Sequence, residues 1–323
     1  CIRDREKTMN KLKTVGLTAL AGTFAATSAQ ALEMSVSGGV GITYATSDTT
    51  EVTGNRVSFG DSLTFSGSGE TDQGWTITAS IEADGASSTT YYDDRSITID
   101  MGDSGTVHVQ QSGAQGTPGS LVPNTYGSTS YSLAGTSTTG KHVADGLSSG
   151  AGSPTNIGYS NTIAGISIAA GISPGETGGS DVAVNLKYAD LVDGLTISAG
   201  MSDLNPSQAN GAGEISLSAS YVMGGLTLGV TDYQYDDDAA NGTDYDAMHY
   251  GVSFAVNDDL SVSYDRSISD KSTADTDETI NSLQASYTMG SMTVKGHITK
   301  ADDEGYSAGA TDEHKAIAVS WSF

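Results

Sequence analysis

The chain is poor in cysteine and in basic residues. It has 323 residues and one cysteine, Cys1, so an internal disulfide is excluded and a cysteine-ligated metal centre is not expected. Lysine and arginine together number 14 against 39 aspartate and glutamate residues, which gives a net charge of −25. A chain this acidic is not expected to bind nucleic acid, and its charge favours cations instead.

Long hydrophobic runs are also missing. Past residue 31 no stretch of 18 apolar residues occurs, so no transmembrane helix is predicted, and no 3.6-residue periodicity is sustained. The one apolar run, Val15 to Ala26, follows two lysines and precedes Ala29-Gln30-Ala31, a small-x-small cleavage site. At about 12 residues it is short for a membrane anchor, which needs roughly 20.

We therefore interpret residues 9–31 as a cleaved signal peptide, residues 1–8 as an upstream extension, and residues 32–323 as the mature protein. Cleavage leaves 292 residues. It removes five basic and two acidic residues, which changes the net charge from −25 to −28. Because Cys1 precedes the signal, the mature chain carries no thiol, and cysteine-based catalysis is excluded.

The pattern that does recur is alternation of apolar and small polar residues, which indicates β-strands. The opposite face is mainly Ser, Thr, Gly and Asn with sparse charge, which suits a water-filled interior better than the outside of a soluble sandwich. Sixteen segments carry the pattern: 34–44, 57–65, 75–83, 97–101, 107–109, 157–159, 166–172, 182–188, 195–201, 215–221, 226–230, 248–254, 260–264, 283–287, 292–298 and 314–323.

The connections alternate between short turns and longer polar loops, as in a transmembrane barrel. All five prolines fall in predicted loops, where a missing ladder donor costs nothing. Tyr188, Tyr221, Phe254 and Tyr287 each precede a short turn at a spacing of 33, and Trp321 follows one residue late. We interpret them as an aromatic girdle at one membrane interface.

The last segment, HKAIAVSWSF, places Ile317, Val319, Trp321 and Phe323 on one face. It resembles the C-terminal signal that barrel-assembly machinery reads in outer-membrane proteins, so Trp321 and Phe323 are candidates for an assembly signal. With the turn TNIGYSNTIAGISI and the architecture, the chain resembles the general porins of Gram-negative bacteria, especially those of purple non-sulfur bacteria.

The resemblance implies an all-β, 16-stranded antiparallel transmembrane barrel with short periplasmic turns, long extracellular loops and an inward-folded third loop. It also implies a homotrimer in the outer membrane, in contact with lipid and lipopolysaccharide, that passes small hydrophilic solutes by diffusion. About 16 strands leave an aqueous channel, whereas eight would be filled by side chains.

Residues 112–155 form the longest connection, and we expect this third long loop to constrict the pore; the alternative is an extracellular flap. The resemblance implies loop carboxylates facing a basic cluster on the wall. This loop departs from that pattern, since its one acid is Asp145, near Lys141 and His142, with Tyr126 and Tyr131 elsewhere in the loop. A weakly charged constriction is therefore expected.

Strand parity predicts which wall residues face the lumen. Together with Lys141 and Asp145 of the loop, the pore-lining candidates are Arg56, Glu82, Asp100, His108, Lys187, Lys295 and His297. Pairing Met101 with Val107 sets Asp100 opposite His108, an arrangement open to acid/base chemistry or to a weak pH response. Asp61 is in phase with the lipid face, which suggests a subunit interface or a bulge there.

Acidic residues concentrate in three long loops, and carboxylates in flexible loops suit Ca²⁺. Asp236, Asp237 and Asp238 are the candidate ligands, although no full EF-hand loop occurs and a solvated acidic rim is the alternative. No other cofactor is expected.

The sequence thus predicts a weakly cation-selective porin without catalysis. Two other classes remain open: a secreted or surface-layer structural or adhesive protein, and an outer-membrane enzyme using Asp100 and His108.

Overall fold

Sixteen antiparallel strands form a closed barrel in a computed structural model of the chain. The structure describes residues 33–48, 53–84, 94–111, 115–134, 141–142, 155–174, 180–189, 191–204, 211–237 and 242–323. The predicted signal peptide and the residues before it lie outside these ranges and stay predictions. The prediction of a 16-stranded all-β barrel is confirmed.

Each strand pairs with its neighbours in the sequence, and β1 also pairs with β16. The strands are β1 (Glu33–Asp48), β2 (Thr53–Glu70), β3 (Thr76–Asp84), β4 (Arg95–Asp100), β5 (Thr106–Gln110), β6 (Asn156–Ile163), β7 (Ile166–Ser173), β8 (Asp181–Ala189), β9 (Leu195–Leu204), β10 (Ala212–Met223), β11 (Leu226–Asp237), β12 (Tyr245–Ala255), β13 (Leu260–Lys271), β14 (Glu278–Met289), β15 (Met292–Asp302) and β16 (Thr311–Ser322).

The barrel wall is apolar outside and polar inside. On β10, Leu217 is 57% exposed, whereas the next residue, Ser218, is 5% exposed. On β14, Leu283 is likewise exposed while Ser282 and Gln284 are buried. Because successive residues of a strand face opposite sides, the exposed apolar residues form the outer surface and the buried polar ones form the inner wall. The outer surface is therefore suited to lipid.

Short turns and long connections lie on opposite rims of the barrel. Two-residue turns join β6 to β7 and β14 to β15, and both contain glycine with positive φ, as at Gly165 (83°). A four-residue helix, α1 (Ser130–Leu133), lies in the longest connection, and 3₁₀ turns occupy Gly102–Ser104 and Glu304–Tyr306. No helix in the described ranges is long and apolar enough to cross a membrane.

Closure of the barrel extends to Phe323. Its backbone N–H donates to Gly38 O at 3.0 Å, and its carbonyl accepts from Gly38 N at 3.0 Å. The Phe323 side chain is 70% exposed, so it stabilises no core of the chain itself. Trp321 pairs with Val40 of β1 and is exposed on the same outer face as Tyr221, Phe254 and Tyr287.

The pairing of β1 with β2 runs without interruption from Glu33–Ser68 to Asp48–Thr53. This excludes a bulge as the reason why Asp61 faces outward. Asp61 pairs with Val40, which in turn pairs with Trp321. Asp61 lies near the middle of β2 and faces outward there, so a subunit interface stays the prediction for this carboxylate.

Candidate functional site: the lumen and its long loop

The described part of the connection between β5 and β6 lies inside the barrel. Its described residues, 115–134 and 141–142, follow the inner wall across successive strands. The loop lies closest to the wall where a strand residue has no side chain. A Cβ at Gly200 of β9 would be 2.7 Å from Pro118 Cα, and one at Gly229 of β11 would be 2.5 Å from Leu121 O.

Hydroxyl groups of the wall hold the first half of the loop. Ser218 Oγ of β10 donates to Gly119 O at 2.8 Å. The hydroxyl groups of Ser120 and Thr231 lie 2.9 Å apart. These hydrogen bonds take the place of the bonds that the same polar groups would make to water. The first half of the loop is therefore held by hydrogen bonds rather than by a hydrophobic core.

Gln284 of β14 binds the loop with both ends of its amide. Its Oε1 accepts from Thr125 N at 3.1 Å and Tyr126 N at 2.9 Å. Its Nε2 donates to Ser128 O at 3.2 Å and to Asp265 Oδ1 at 2.9 Å. One buried side chain therefore holds the turn that carries Tyr126.

Asp265 of β13 holds the start of α1. Fully buried, it accepts from Ser130 N at 2.8 Å and contacts His249 Nε2 at 3.0 Å through the same oxygen, Oδ2. His249 Nδ1 lies 3.3 Å from Ser120 Oγ. Loop and wall thus share one buried polar network.

A second histidine and carboxylate pair holds the far end of the loop. His142 Nε2 lies 2.8 Å from Glu278 Oε2 of β14, and its Nδ1 lies 2.7 Å from Ser267 Oγ. Glu278 Oε1 accepts from Gly305 N at 2.9 Å, and the Tyr131 ring stacks on His142. The side chains of His142 and Glu278 are fully buried.

Lys141 lies beside a third buried carboxylate, Glu214 of β10. Glu214 accepts from Ser202 Oγ at 2.6 Å and from Tyr233 OH at 2.7 Å, while Lys141 Nζ lies 4.7 Å above the Tyr235 ring. Burial lowers the pKa of the Lys141 amine below its ordinary value, and the nearby Glu214 charge acts against that shift.

The basic cluster comprises Arg56 of β2, Lys295 and His297 of β15, and His314 of β16. His297 and His314 stack with ring centroids 5.1 Å apart, and Arg56 pairs with Ala45, whose other partner, Ala316, is two residues from His314. The loop contacts this cluster at Tyr126. Its ring meets His297 edge-on at 4.6 Å, and its carbonyl accepts from Lys295 Nζ at 3.0 Å. Burial also raises the pKa of the Tyr126 phenol.

The predicted pair of Asp100 and His108 is wrong. Asp100 pairs with Thr106 and accepts from Gly102 N at 2.9 Å, whereas His108 pairs with Thr98 and its Nε2 lies 2.9 Å from Ser160 Oγ. The 3₁₀ turn at Gly102–Ser104, closed by Gly105 at φ 86°, shifts the register by two residues from the predicted one.

A serine, histidine and aspartate do align at Ser120, His249 and Asp265. The Ser120 hydroxyl also contacts Thr231 Oγ1 and accepts from Val122 N at 3.2 Å, and His249 is 2% exposed. Among the described residues the Ser120 hydroxyl is engaged by wall and loop together, so the alignment anchors the loop rather than presenting a nucleophile.

The remaining candidates are dispersed. Glu82 pairs with Thr64 on the β3 inner face, and Lys187 lines a polar cavity of about 470 Å³ with Ser160 and Asn185. Asp145 lies outside the described residues.

The proposed calcium ligands are not assembled in the described part of the chain, where no group of three or more His, Cys, Asp or Glu side chains could hold a metal. Asp236 and Asp237 are adjacent on β11 and face opposite sides, while Asp238 lies outside the described residues. Calcium binding stays a prediction.

The inner faces of β1 to β5 differ from the loop-covered wall. Their side chains are mostly Ser and Thr, many of them half-exposed, and Ser66 Oγ lies 3.0 Å from Ser80 Oγ. The loop contacts described above lie on the other side, from β9 to β16. The described residues of the loop are thus held against the opposite part of the wall, and the β1 to β5 faces keep their hydroxyl groups accessible.

The alternation along each strand could have identified further inner-wall residues, because they lie in phase with inner Ser and Thr residues. These residues are Glu214, His249, Asp265, Glu278, Gln284 and His314. The alternation could not reveal that the loop covers them. Because the loop covers them, these inner-wall side chains are buried and bind the loop.

Solved structures with the same architecture have low sequence identity to this chain. An anion-selective porin from Comamonas acidovorans matches with a TM-score of 0.68 and 15% identity over 91% of this chain and 100% of that one. OmpT of Vibrio cholerae, in a trimer form, gives 0.67 and 14% over 91% and 100%. A triple mutant of Rhodopseudomonas blastica porin gives 0.65 and 16% over 90% and 100%.

No curated protein sequence shows significant similarity to the chain. A family model described as Gram-negative porin matches residues 16–323, nearly the whole sequence. This match and the closed barrel agree, and they place the protein in the outer membrane. The chain belongs to the Gram-negative porin family.

Proposed function

We propose that the protein is a passive diffusion channel for small hydrophilic solutes and ions. The observation that carries this proposal is the arrangement of the lumen: the described part of the loop is hydrogen-bonded to one side of the inner wall, and the inner faces of β1 to β5 carry accessible hydroxyl groups. In this proposal residues 112–155 constrict the channel. No chemical step is required.

Liposome swelling tests this function directly. Liposomes containing the purified barrel should swell in isotonic solutions of small sugars, at rates that fall steeply as the sugar becomes larger. Heat-denatured protein in the same liposomes is the control. A folded barrel that admits no sugar would contradict the proposal.

We also propose a weak ion selectivity for this channel. A net charge of −28 for the predicted mature chain, with many acids near the long-loop rim, supports weak selectivity for cations. Anion selectivity is a property of the Comamonas porin and is not carried over. The basic cluster in the lumen acts in the opposite direction, which supports a cation to anion permeability ratio close to one.

We further propose a homotrimer, for which the trimer form of the Vibrio protein offers support. Lipid and lipopolysaccharide would surround its outer face, and the barrel-assembly machinery would recognise Trp321 and Phe323. Native gel migration that shifts on heating, with cross-linking that stops at three copies, is expected. A surface-layer role finds no support in a porin fold, and the separation of Asp100 from His108 removes the basis for the enzyme alternative.

A further inference from the structure

The inner wall of β5 to β8 contains a polar recess near the short turns. Its volume is about 470 Å³, and every inward-facing side chain of its lining except Ala169 carries a hydrogen-bonding group. The side chains with such groups are Thr106, Ser160, Thr162, Ser167, Asn185 and Lys187. Lys187 is the one charged residue of this lining, so the recess differs from the basic cluster around Lys295.

Strand register arranges these side chains in two adjacent rows across the wall. One row runs through Thr106, Ser160, Ala169 and Asn185, and the other through Thr162, Ser167 and Lys187. The rows are two residues apart, which is roughly 7 Å, and neighbouring strands are about 4.8 Å apart. Several hydrogen-bonding groups therefore lie within reach of one small molecule, around a position where Ala169 projects only a methyl group.

The first described residues of the long loop bound the recess on the side away from the short turns. A Cβ added at Gly158 of β6 would lie 2.4 Å from Gln115 Cγ, and one added at Gly200 of β9 would lie 2.7 Å from Pro118 Cα. Gly158 is two residues from Ser160 of the recess. In the proposed channel, a solute between the loop and the short turns therefore meets this recess.

Neighbouring groups orient the polar side chains of the recess. Ser198 Oγ donates to Asn185 Oδ1 at 3.1 Å, which leaves Asn185 Nδ2 as a donor toward a ligand. Ser160 Oγ lies 2.9 Å from His108 Nε2. The exposed Lys187 makes no hydrogen bond or ion pair within the described part of the chain, so its ammonium group offers three N–H donors.

The charges at the two ends of the recess favour a neutral ligand. Asp100 of β4 is exposed and pairs with Thr106, so it lies four strands from Asn185, roughly 19 Å along the wall at about 4.8 Å per strand. A small zwitterion cannot span that distance to reach both Asp100 and Lys187, and the carboxylate opposes a ligand with several negative charges. A hydroxyl group, by contrast, both donates and accepts hydrogen bonds, and can therefore bind at either end.

We propose that this recess is a transient binding subsite for a neutral saccharide. The Asn185 amide and the Lys187 ammonium group donate to hydroxyl oxygens of the sugar, and the serine and threonine hydroxyl groups bond to its remaining hydroxyls. This inference rests on the proposed channel function and deepens it, because it names a class of permeating solute. Binding must be weak, because a solute that binds tightly does not leave the channel.

The test compares sucrose with a poly(ethylene glycol) of similar size, at matched viscosity, as inhibitors of single-channel potassium chloride current. Sucrose should reduce the wild-type current in a saturable manner, whereas the glycol should reduce it only in proportion to viscosity. Asn185→Leu combined with Lys187→Met should weaken the apparent sucrose affinity by roughly tenfold, since two hydrogen-bond donors are lost. Thr64→Val combined with Ser66→Ala removes two hydroxyl groups from the inner face of β2 and should change the affinity less than about twofold.

Lys187→Gln separates hydrogen bonding from charge. It keeps a donor at this position and should retain the sucrose affinity within about threefold of the wild type. Block by inorganic phosphate that is stronger than block by sucrose, and that disappears in Lys187→Gln, would show an anion site and overturn the saccharide assignment. Equal effects of sucrose and glycol on a conducting wild-type channel, or equal loss in the β2 control, would overturn the subsite. A wild-type barrel that does not conduct would instead refute the channel.

Discussion

At the residue scale, two histidine and carboxylate pairs carry much of the connection between loop and wall. Glu278 and Asp265 are fully buried, and each has one backbone N–H donor as well as a histidine partner. A buried carboxylate that loses a partner keeps its desolvation cost. The two pairs therefore matter more than the exposed ion pairs on the outer wall, such as Lys300 with Asp302.

Replacing His142 by alanine tests this distinction. The substitution leaves Glu278 Oε2 without its 2.8 Å partner and removes the ring on which Tyr131 stacks. We expect the free energy of unfolding, measured by urea titration in detergent, to fall by about 3 kcal/mol, together with noisier open-channel current.

His108→Ala is the matched control, because His108 is half-buried and its ring bonds to the single hydroxyl of Ser160. Its loss should cost about 1 kcal/mol or less and leave the current quiet. Equal effects in the two variants would show that the His142 pair does not fasten the loop.

At the element scale, the loop and the strands fit because glycines provide contact sites on the wall. Gly229 of β11 faces the backbone of Leu121 and Val122. Gly229→Ala would place a methyl group 2.5 Å from Leu121 O and should destabilise the barrel by about 1–3 kcal/mol through overpacking. Urea titration in detergent measures the change.

Gly213 of β10 has nothing within 4 Å of an added Cβ. Gly213→Ala should therefore change the stability by roughly 0.5 kcal/mol or less. If both alanine variants behaved alike, the loop would not lie on the wall as described.

The closing strand offers a separate prediction. Because the Phe323 side chain is 70% exposed and its backbone still pairs with Gly38, Phe323→Asp should leave refolding from urea into detergent nearly unchanged. The yield of assembled barrel in cells should fall severalfold, since in our proposal the assembly machinery recognises the aromatic ring, whereas the ring packs in no core of the barrel. Folded barrel from outer membranes, quantified on unheated gels, is the readout, with Phe323→Tyr as the conservative control. Normal cellular yield of the aspartate variant would contradict this role.

Across the whole molecule, what the sequence could predict follows from the period of a β-strand. Alternation identifies a strand and its faces, so Arg56, Lys295 and His297 could be placed in the lumen from parity alone. The register between β4 and β5 could not be predicted in this way, because a shift of two residues keeps every side chain on its own face. Only the turn at Gly102–Ser104 decides between the two registers.

The path of the loop was also beyond the sequence pattern. Its Ser, Thr and Gly residues carry no periodicity, and its anchors lie far away in the chain, as with Thr125 and Gln284, 159 residues apart. The inward fold was expected from resemblance, but the buried carboxylates that secure it needed the structure.

Planar-bilayer recording of the purified, folded protein tests the central claim most directly. We expect ohmic current steps that appear in groups of three, with a potassium to chloride permeability ratio slightly above one in a salt gradient. A correctly folded barrel that inserts into the bilayer and carries no current would contradict it.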